Sequence, residues 1–294
     1  MSSNSIVEHT STTMDSLLTR LKCVEEKAKK RSRPDTLPTQ SQSYRLPVWG
    51  DELRCMPNEL LRSALFNAKN RNQARRYLEN AEIAVIGESV RIVYTGKELR
   101  QTDELVWLQL IHLAQCVPLG CPIEFTAYSM VQSLRLTQSK PSQQHVERLL
   151  DSLRRMQASS LLISSRRLGR TVSLSMIPKF EWEDMATSTR LPKWRAWIAP
   201  ELVELFGNMH FTRVEWTQRL ALPTGLATWM HGYFSSHRDP YPVKLSTLQA
   251  GAGCTTESLS RFRQLVAKAL NELREVGFLK HAEIRGEKVY VDRR

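Results

Sequence analysis

Residues 242–246 read PVKLS, and residues 122–126 read PIEFT. Each stretch sets out a proline, a β-branched residue, a charge, a large apolar residue and then a hydroxyl of the kind that caps a helix. The offset is 120 residues. Held without a gap, it carries Val146 onto Val266, Leu150 onto Leu270, Leu153 onto Leu273 and Met156 onto Val276. These are the i, i+4, i+7 and i+10 positions of one helix face in both halves. Each half then runs into a β-rich pair, SLLISSRRLGRTVSLSMI from Ser160 and FLKHAEIRGEKVYV from Phe278. An internal duplication of a unit of roughly 100–120 residues follows.

Working outward, TDELVWLQLIHLAQCVP from Thr102 reads as a helix, with Thr102 able to cap it and Pro118 to stop it. The repeated order is then helix, short strand, short helix, turn, long helix, hairpin. That is the order of a winged helix, in which the second helix of a helix-turn-helix enters a DNA groove and a hairpin wing follows. In the second copy Ser246 starts the short helix and AGAG, 250–253, makes the turn. Thr255 or Thr256 caps the long helix, and RGEK, 285–288, turns the wing. IAVIG and RIVYTG, split by Glu88 and Ser89, read as a further hairpin. The expected fold is α+β: two tandem winged-helix domains, 51–187 and 188–294, behind a disordered, polar and basic tail, 1–50. Within the tail a marginal helix from Met14 to Lys30 and a solvated Lys29–Arg33 cluster are expected.

The charge balance, 42 Lys and Arg against 30 Asp and Glu for a net +12, favours a polyanionic partner. The basic residues are spread along the chain rather than gathered on one helix, which favours nucleic acid over a membrane surface. No apolar run approaches the roughly 18 residues that a bilayer requires, and the start MSSNSIVEHTSTTMDS lacks the marks of a signal peptide. A cytoplasmic protein is expected. Cys23, Cys55, Cys116, Cys121 and Cys254 lack zinc-ligand spacing and read as reduced thiols, mostly buried, with no metal or other cofactor. Catalysis is not expected. No His-apolar-His pair with a nearby Tyr suits a nickase, and GAGCTTES, 251–258, lacks the lysine of a phosphate loop.

On the second long helix Leu259, Phe262, Val266, Ala269, Leu270, Leu273 and Val276 face inward. Ser258, Arg261, Gln264 and Lys268 share the opposite face, with Arg263 at its edge. Arginine grips guanine and glutamine grips adenine bidentately, so Ser258, Arg261 and Gln264 are the expected base readers. Arg285 and Lys288 belong to the wing. The acids Glu272 and Glu275 come at the far end. In the first copy, Pro141 suits the first turn of the long helix, and Lys140, Ser142, Gln143, Gln144 and Arg148 are the candidate contacts. Arg166, Arg167 and Arg170 are placed at its wing tip. Through the offset, His231 and His237 fall on Ile111 and Val117, so the fold does not need either imidazole. His237, at a helix end, suits the dipole as a partly charged ring, and Arg238 and Lys244 beside it are candidate phosphate contacts.

PNELLRSALFNAKNRNQARRY, IAVIGE, IVYTGKELR, DELVWLQL and YFSSHRDPYPVKL together resemble the TrfA-type plasmid replication initiators of IncP-like broad-host-range plasmids. The resemblance runs from about Pro57 to the C-terminus. It implies an initiator that binds direct repeats, or iterons, at a plasmid origin as a monomer in equilibrium with inactive dimers. It further implies opening of AT-rich duplex, with the exposed single strand as a second ligand, and recruitment of host DnaA, DnaB helicase and the sliding clamp. Clamp-binding peptides of the family end in Leu-Phe, as RSALF does with Leu65 and Phe66, although Arg62 stands where glutamine is usual. The other reading of those residues is a core stripe. A transcriptional repressor of the same winged-helix class is the alternative function, and an origin nickase a remote one.

Overall fold

The computed structural model describes residues 45–294 apart from 71, 87–89, 119, 138–139, 167–168, 185–188, 208–209 and 257. The expected tail up to residue 44, with its Met14–Lys30 helix, lies outside the described residues, as do Cys23, Glu88, Ser89 and Arg167. Residues 45–50, expected as tail, carry core side chains instead: Leu46 and Trp49 are buried. Trp49 donates through Nε1 to His112 Nδ1 at 3.1 Å and stacks on Phe206.

The chain opens with β1 (Leu53–Pro57), α1 (Asn58–Leu61), β2 (Phe66–Asn67), β3 (Tyr77–Ile86), β4 (Val90–Lys97) and β5 (Leu99–Arg100). There follow α2 (Gln101–Ala114), β6 (Ile123–Phe125), α3 (Ala127–Ser133), α4 (Gln143–Gln157), β7 (Ser160–Ser165), β8 (Arg170–Leu174), β9 (Lys179–Asp184) and β10 (Thr189–Trp197). The second half has α5 (Pro200–Glu204), β11 (Phe211–Glu215), α6 (Trp216–Ala221), α7 (Leu226–Ser235), β12 (Val243–Lys244), α8 (Leu245–Gly251), α9 (Leu259–Glu275), β13 (Leu279–Arg285) and β14 (Lys288–Arg293). The chain is thus mixed helix and sheet. The order α2–β6–α3–α4 recurs as α7–β12–α8–α9.

The sheets carry the duplication further and correct one part of it. In the second half the short strand pairs with the later strand of the hairpin, in the order β12-β14-β13. Its counterpart in the first half is the order β6-β10-β9, with Trp194 opposite Phe125. The hairpin equivalent to β13–β14 is therefore β9–β10, not the SLLISSRRLGRTVSLSMI segment. That segment forms β7–β8, which joins β4 from Val90↔Ser165 to Thr95↔Ser160 and widens the β3–β4 sheet. The reason lies in the alternation of its side chains: Leu161 and Ile163 are buried beside Ile92 and Tyr94 on one sheet face. An extra hairpin after α4 breaks the gap-free offset. The expected division at residues 187 and 188 falls between the two paired strands β9 and β10.

Four helix starts also differ from the sequence reading. At α2 the backbone N–H of Arg100 donates to Asp103 Oδ2 at 2.8 Å, so the cap position is Arg100 rather than Thr102. Pro141 precedes the α4 cap, Ser142. Ser246 lies inside α8, where the Leu245 N–H is taken by the carbonyl of Glu287 at 2.8 Å. At α9 Ser258, not Thr255 or Thr256, accepts the Arg261 N–H at 3.4 Å. Thr126, by contrast, caps α3 by accepting from the Ser129 N–H at 3.0 Å.

Two apolar clusters fill the interior. The first runs from Leu46 to Trp216 and includes Trp107, Leu153 and Trp194; the second gathers Trp229, Phe234, Leu248, Phe262, Val266, Leu273 and Val289. Between them lies a polar joint. Arg219 of α6 has a fully buried side chain, and its Nη2 meets Glu104 Oε1 of α2 at 3.0 Å and Gln101 Oε1 at 2.8 Å. Its Nη1 donates to the carbonyl of Thr228 in α7. Gln101 donates in turn to the Phe66 carbonyl at 2.6 Å and to Glu104 Oε2 at 2.5 Å. Burial raises the Glu104 carboxyl while Arg219 draws it down.

An ion this deep is tolerated only with its counter-charge in place. Arg219→Met should therefore cost about 3–5 kcal/mol in urea unfolding. Adding Glu104→Met to it should recover most of that loss; additive losses would mean that the two side chains are not energetically coupled.

Candidate nucleic-acid interface

α9 is amphipathic, and its spacing sets its two faces. Phe262, Val266, Ala269, Leu270 and Leu273 are buried, with Leu259 and Val276 packed at the margin. Arg261, Gln264 and Lys268 are exposed on the other face, as is Ser258, whose hydroxyl caps the helix. Lys268 lies 3.8 Å from Glu272 one turn on. Arg263 is not part of that face. Its guanidinium donates to the carbonyls of Gly286 at 2.6 Å and Ile284 at 3.3 Å, holding the hairpin turn against the helix. The turn itself needs Gly286, at φ +56°.

The hairpin brings two lysines together. Lys244 of β12 is the register partner of Lys288 of β14, and both are exposed. Like charges directly opposite one another are unfavourable in a sheet unless an anion lies between them. Arg285 is partly neutralised by Glu283 at 2.5 Å and lies over the Tyr290 ring at 5.4 Å. Arg238 is elsewhere: its carbonyl accepts from Arg293 at 2.6 Å, at the base of the hairpin rather than its tip.

The first half presents a more neutral surface. Lys140, Gln144 and Arg148 are exposed at the start of α4. The Ser142 hydroxyl is 2.7 Å from His145 Nδ1. Gln143 donates to Glu147 at 2.6 Å and accepts from Arg190 of β10 at 3.3 Å, and Arg190 also pairs with Glu147. Arg166 and Arg170 sit on β7–β8 or its turn, away from the hairpin that pairs with β6. Arg170 makes a two-pronged ion pair with Glu204, at 2.7 and 2.9 Å.

Leu65 and Phe66 are each only 2% exposed. A sliding clamp reaches them only if this segment opens, and Arg62 tethers it by donating to the Ser236 hydroxyl at 2.8 Å. Among the described residues no group of three His, Cys, Asp or Glu could hold a metal ion, and no helix is long and apolar enough to cross a membrane. Cys116 and Cys121 are exposed, against the expectation of mostly buried thiols.

The sequence profile described as TrfA protein matches residues 16–293. The chain is 34% identical over 266 residues to the plasmid replication initiator protein TrfA of Escherichia coli, covering 90% of this chain and 68% of that one. This protein belongs to the TrfA family. Among solved structures, domains 2 and 3 of RctB share the fold with a TM-score of 0.52 at 12% identity, over 81% of this chain and 98% of that one. The Pi initiator protein in complex with iteron DNA follows with a TM-score of 0.46 at 14% identity, over 67% and 94%.

In this TrfA-family chain the sequence reading passed over the basic residues of β9–β10. Arg190, Lys193 and Arg195 are exposed on the strand that pairs with β6. Lys193 and Arg195 share Glu124 at 3.6 and 2.9 Å. The signal that could have found them is TRLPKWRAW, 189–197, where basic residues alternate with apolar ones.

The histidines are scaffold. His231 is fully buried, edge-on to Phe278 at 4.5 Å between ring centres, and its Nε2 is 3.4 Å from Gln218 Oε1. Burial, helped by the charge of Arg219, pushes its pKa down to about 3. His237 is also lowered by burial, so the expected partly charged ring at the helix end is corrected to a neutral one, bonded to the Tyr233 carbonyl at 2.9 Å. An imidazole with a folded pKa below its unfolded value near 6.5 takes up its proton on unfolding. Its contribution is complete above pH 6.5 and is lost as pH falls towards 3. Stability should therefore fall between pH 6 and 4, and His231→Leu should flatten that slope by about 1.4 kcal/mol per pH unit. An unchanged slope would mean that His231 is protonated in the fold.

Proposed function

We propose that this protein is a plasmid replication initiator that binds direct-repeat iterons at an origin through two winged-helix units and opens the adjoining AT-rich duplex. The observation that carries the reading is α9, whose outward face offers Arg261, Gln264 and Lys268 without an acid until Glu272. A face of that composition suits guanine, adenine and phosphate in a major groove. The paired Lys244 and Lys288 at the adjoining hairpin tip supply the charge to hold a phosphate beside it. Family membership supports replication initiation as the purpose of the binding.

The two recurrent helix–strand–helix–helix orders, each closed by a hairpin that pairs back to its short strand, support the winged-helix assignment. In the first unit the wing is β9–β10. Two units in one chain suit direct repeats, since a unit and its neighbour then face the duplex in the same sense. Host DnaA, DnaB helicase and the sliding clamp are partners that the family resemblance supplies, as is a balance of monomer and dimer. The protein works as a binding and recruiting factor in the cytoplasm rather than as a catalyst.

Binding to about 6–10 phosphates makes affinity fall roughly 10³–10⁵-fold between 50 and 200 mM salt. Arg261→Ala should cost about 1–3 kcal/mol on origin DNA and relax preference at one base pair. Gel-shift titrations on origin and random duplexes check this. Equal weakening on both would make Arg261 a phosphate contact, and no weakening on either would remove α9 as the reading helix.

A further inference from the structure

Residues 69–76 read KNRNQARR, four cations and no acid, and the interface described above does not use them. The start of this loop is fixed against the second half of the chain. The Ala68 N–H donates to the carbonyl of Ala252 at 2.8 Å, in the turn between α8 and α9. Gly253, at φ +61°, approaches so closely that a Cβ there would meet the Cβ of Asn67 at 2.9 Å. The loop therefore begins beside the turn that delivers the N-terminus of α9.

Its body is held from within. Arg100, almost fully buried, donates to the carbonyls of Asn70, Gln73 and Ala74 at 2.8, 2.7 and 3.1 Å. Three carbonyls on one cation fix the backbone before any ligand arrives, which lowers the ordering cost of binding. Lys69, Arg75 and Arg76 of the loop, with Arg100 and Arg155, surround two buried carboxylates, Glu98 and Asp103. Five cations against two carboxylates leave an excess of positive charge.

Most of these cations are committed. Lys69 meets Glu98 Oε1 at 2.5 Å and is 8% exposed, whereas Arg76 touches the same oxygen at 3.2 Å through Nε and is 64% exposed. Only one edge of the Arg76 guanidinium is engaged by Glu98, and much of the rest faces solvent. The Ala68–Ala252 hydrogen bond sets Lys69, the next residue, close to the start of α9, and the Lys69 ammonium draws down the Cys254 thiol that burial lifts to about 11. The sequence of neighbours is then Arg76, Glu98, Lys69, Cys254 and the capped end of α9.

We infer that residues 72–76, with Arg76 at their outer edge, are a phosphate-binding element for the duplex that α9 reads. This rests on the proposed DNA-binding role of α9 and extends it, because the first half of the chain thereby grips the DNA held by the second. Arg76 provides a planar cationic fork suited to a phosphate, and the exposed side chains of Asn72 and Gln73 provide neutral donors. Contacts of this kind position a protein without reading sequence. They also place the loop and α9 on one stretch of backbone.

The test is the salt dependence of binding by the full chain to an origin duplex and to a random-sequence duplex. Arg76→Gln should lower the slope of log affinity against log salt by about one, which is roughly five-fold in affinity near 0.15 M salt, equally on both duplexes. Arg76→Lys should keep most of the slope. Asn72→Asp, which leaves the ion cluster intact and sets an acid on the loop, should weaken both duplexes as well, with unfolding unchanged. If Arg76→Gln and Asn72→Asp bind with wild-type slope and affinity, the inference falls while the reading of α9 stands. A loss confined to the origin duplex would make Arg76 a base reader and also overturn it. Absence of salt-dependent binding by the wild-type chain would remove both.

Discussion

Arg219 and Glu104 are an ion pair without access to water, and the arrangement of the two halves depends on it. Each charge is acceptable in the interior only because the other is 3.0 Å away and because Gln101 and the Thr228 carbonyl take up the two terminal nitrogens of Arg219, with Gln101 itself held by the Phe66 carbonyl. An apolar contact tolerates sliding; a buried charge pair with this many directional bonds has one geometry. The leading helices of the two repeats, α2 and α7, are therefore locked through α6. Gly232 in α7 belongs to the same constraint, since a Cβ there would strike Leu61 at 2.8 Å. Helices α4 and α9 inherit their relative placement from this joint.

Much of this was legible in the sequence, and the losses have specific causes. The core face of α9 followed from Val266, Leu270 and Leu273, because helical period is a local property. The hairpin that pairs back to β6 in the first repeat did not follow. Both β7–β8 and β9–β10 alternate, and the choice between them is made by Trp194 lying opposite Phe125, a long-range pairing that no local pattern reveals. The α9 cap was narrowed to hydroxyls, but Thr255, Thr256 and Ser258 all qualify by type, and the backbone path out of the Gly253 turn selects Ser258. By period Arg263 falls at the edge of the exposed polar face of α9, yet a turn some twenty residues away captures it. Leu65 and Phe66 matched a peptide pattern whose residue types are equally those of a core strand.

The electrostatics divide along the same line. The basic side chains of the first half have acidic partners: Glu147 and Glu124 neutralise Arg190 and Arg195, and Glu204 of α5 pairs with Arg170. In the second half Lys244 and Lys288 face each other across two strands, and Arg261 and Gln264 stand exposed on α9. The exposed face of the second repeat is thus the less neutralised of the two, a difference that net charge alone conceals.

The central claim is that both repeats lie on one duplex, held in fixed relation by the buried joint. Hydroxyl-radical footprinting of the full chain on its origin tests it most directly. The account predicts two protected backbone segments per bound molecule, on the same side of the duplex and at one fixed spacing in every repeat. A single protected segment of one unit's width, or two at varying spacing, would contradict it.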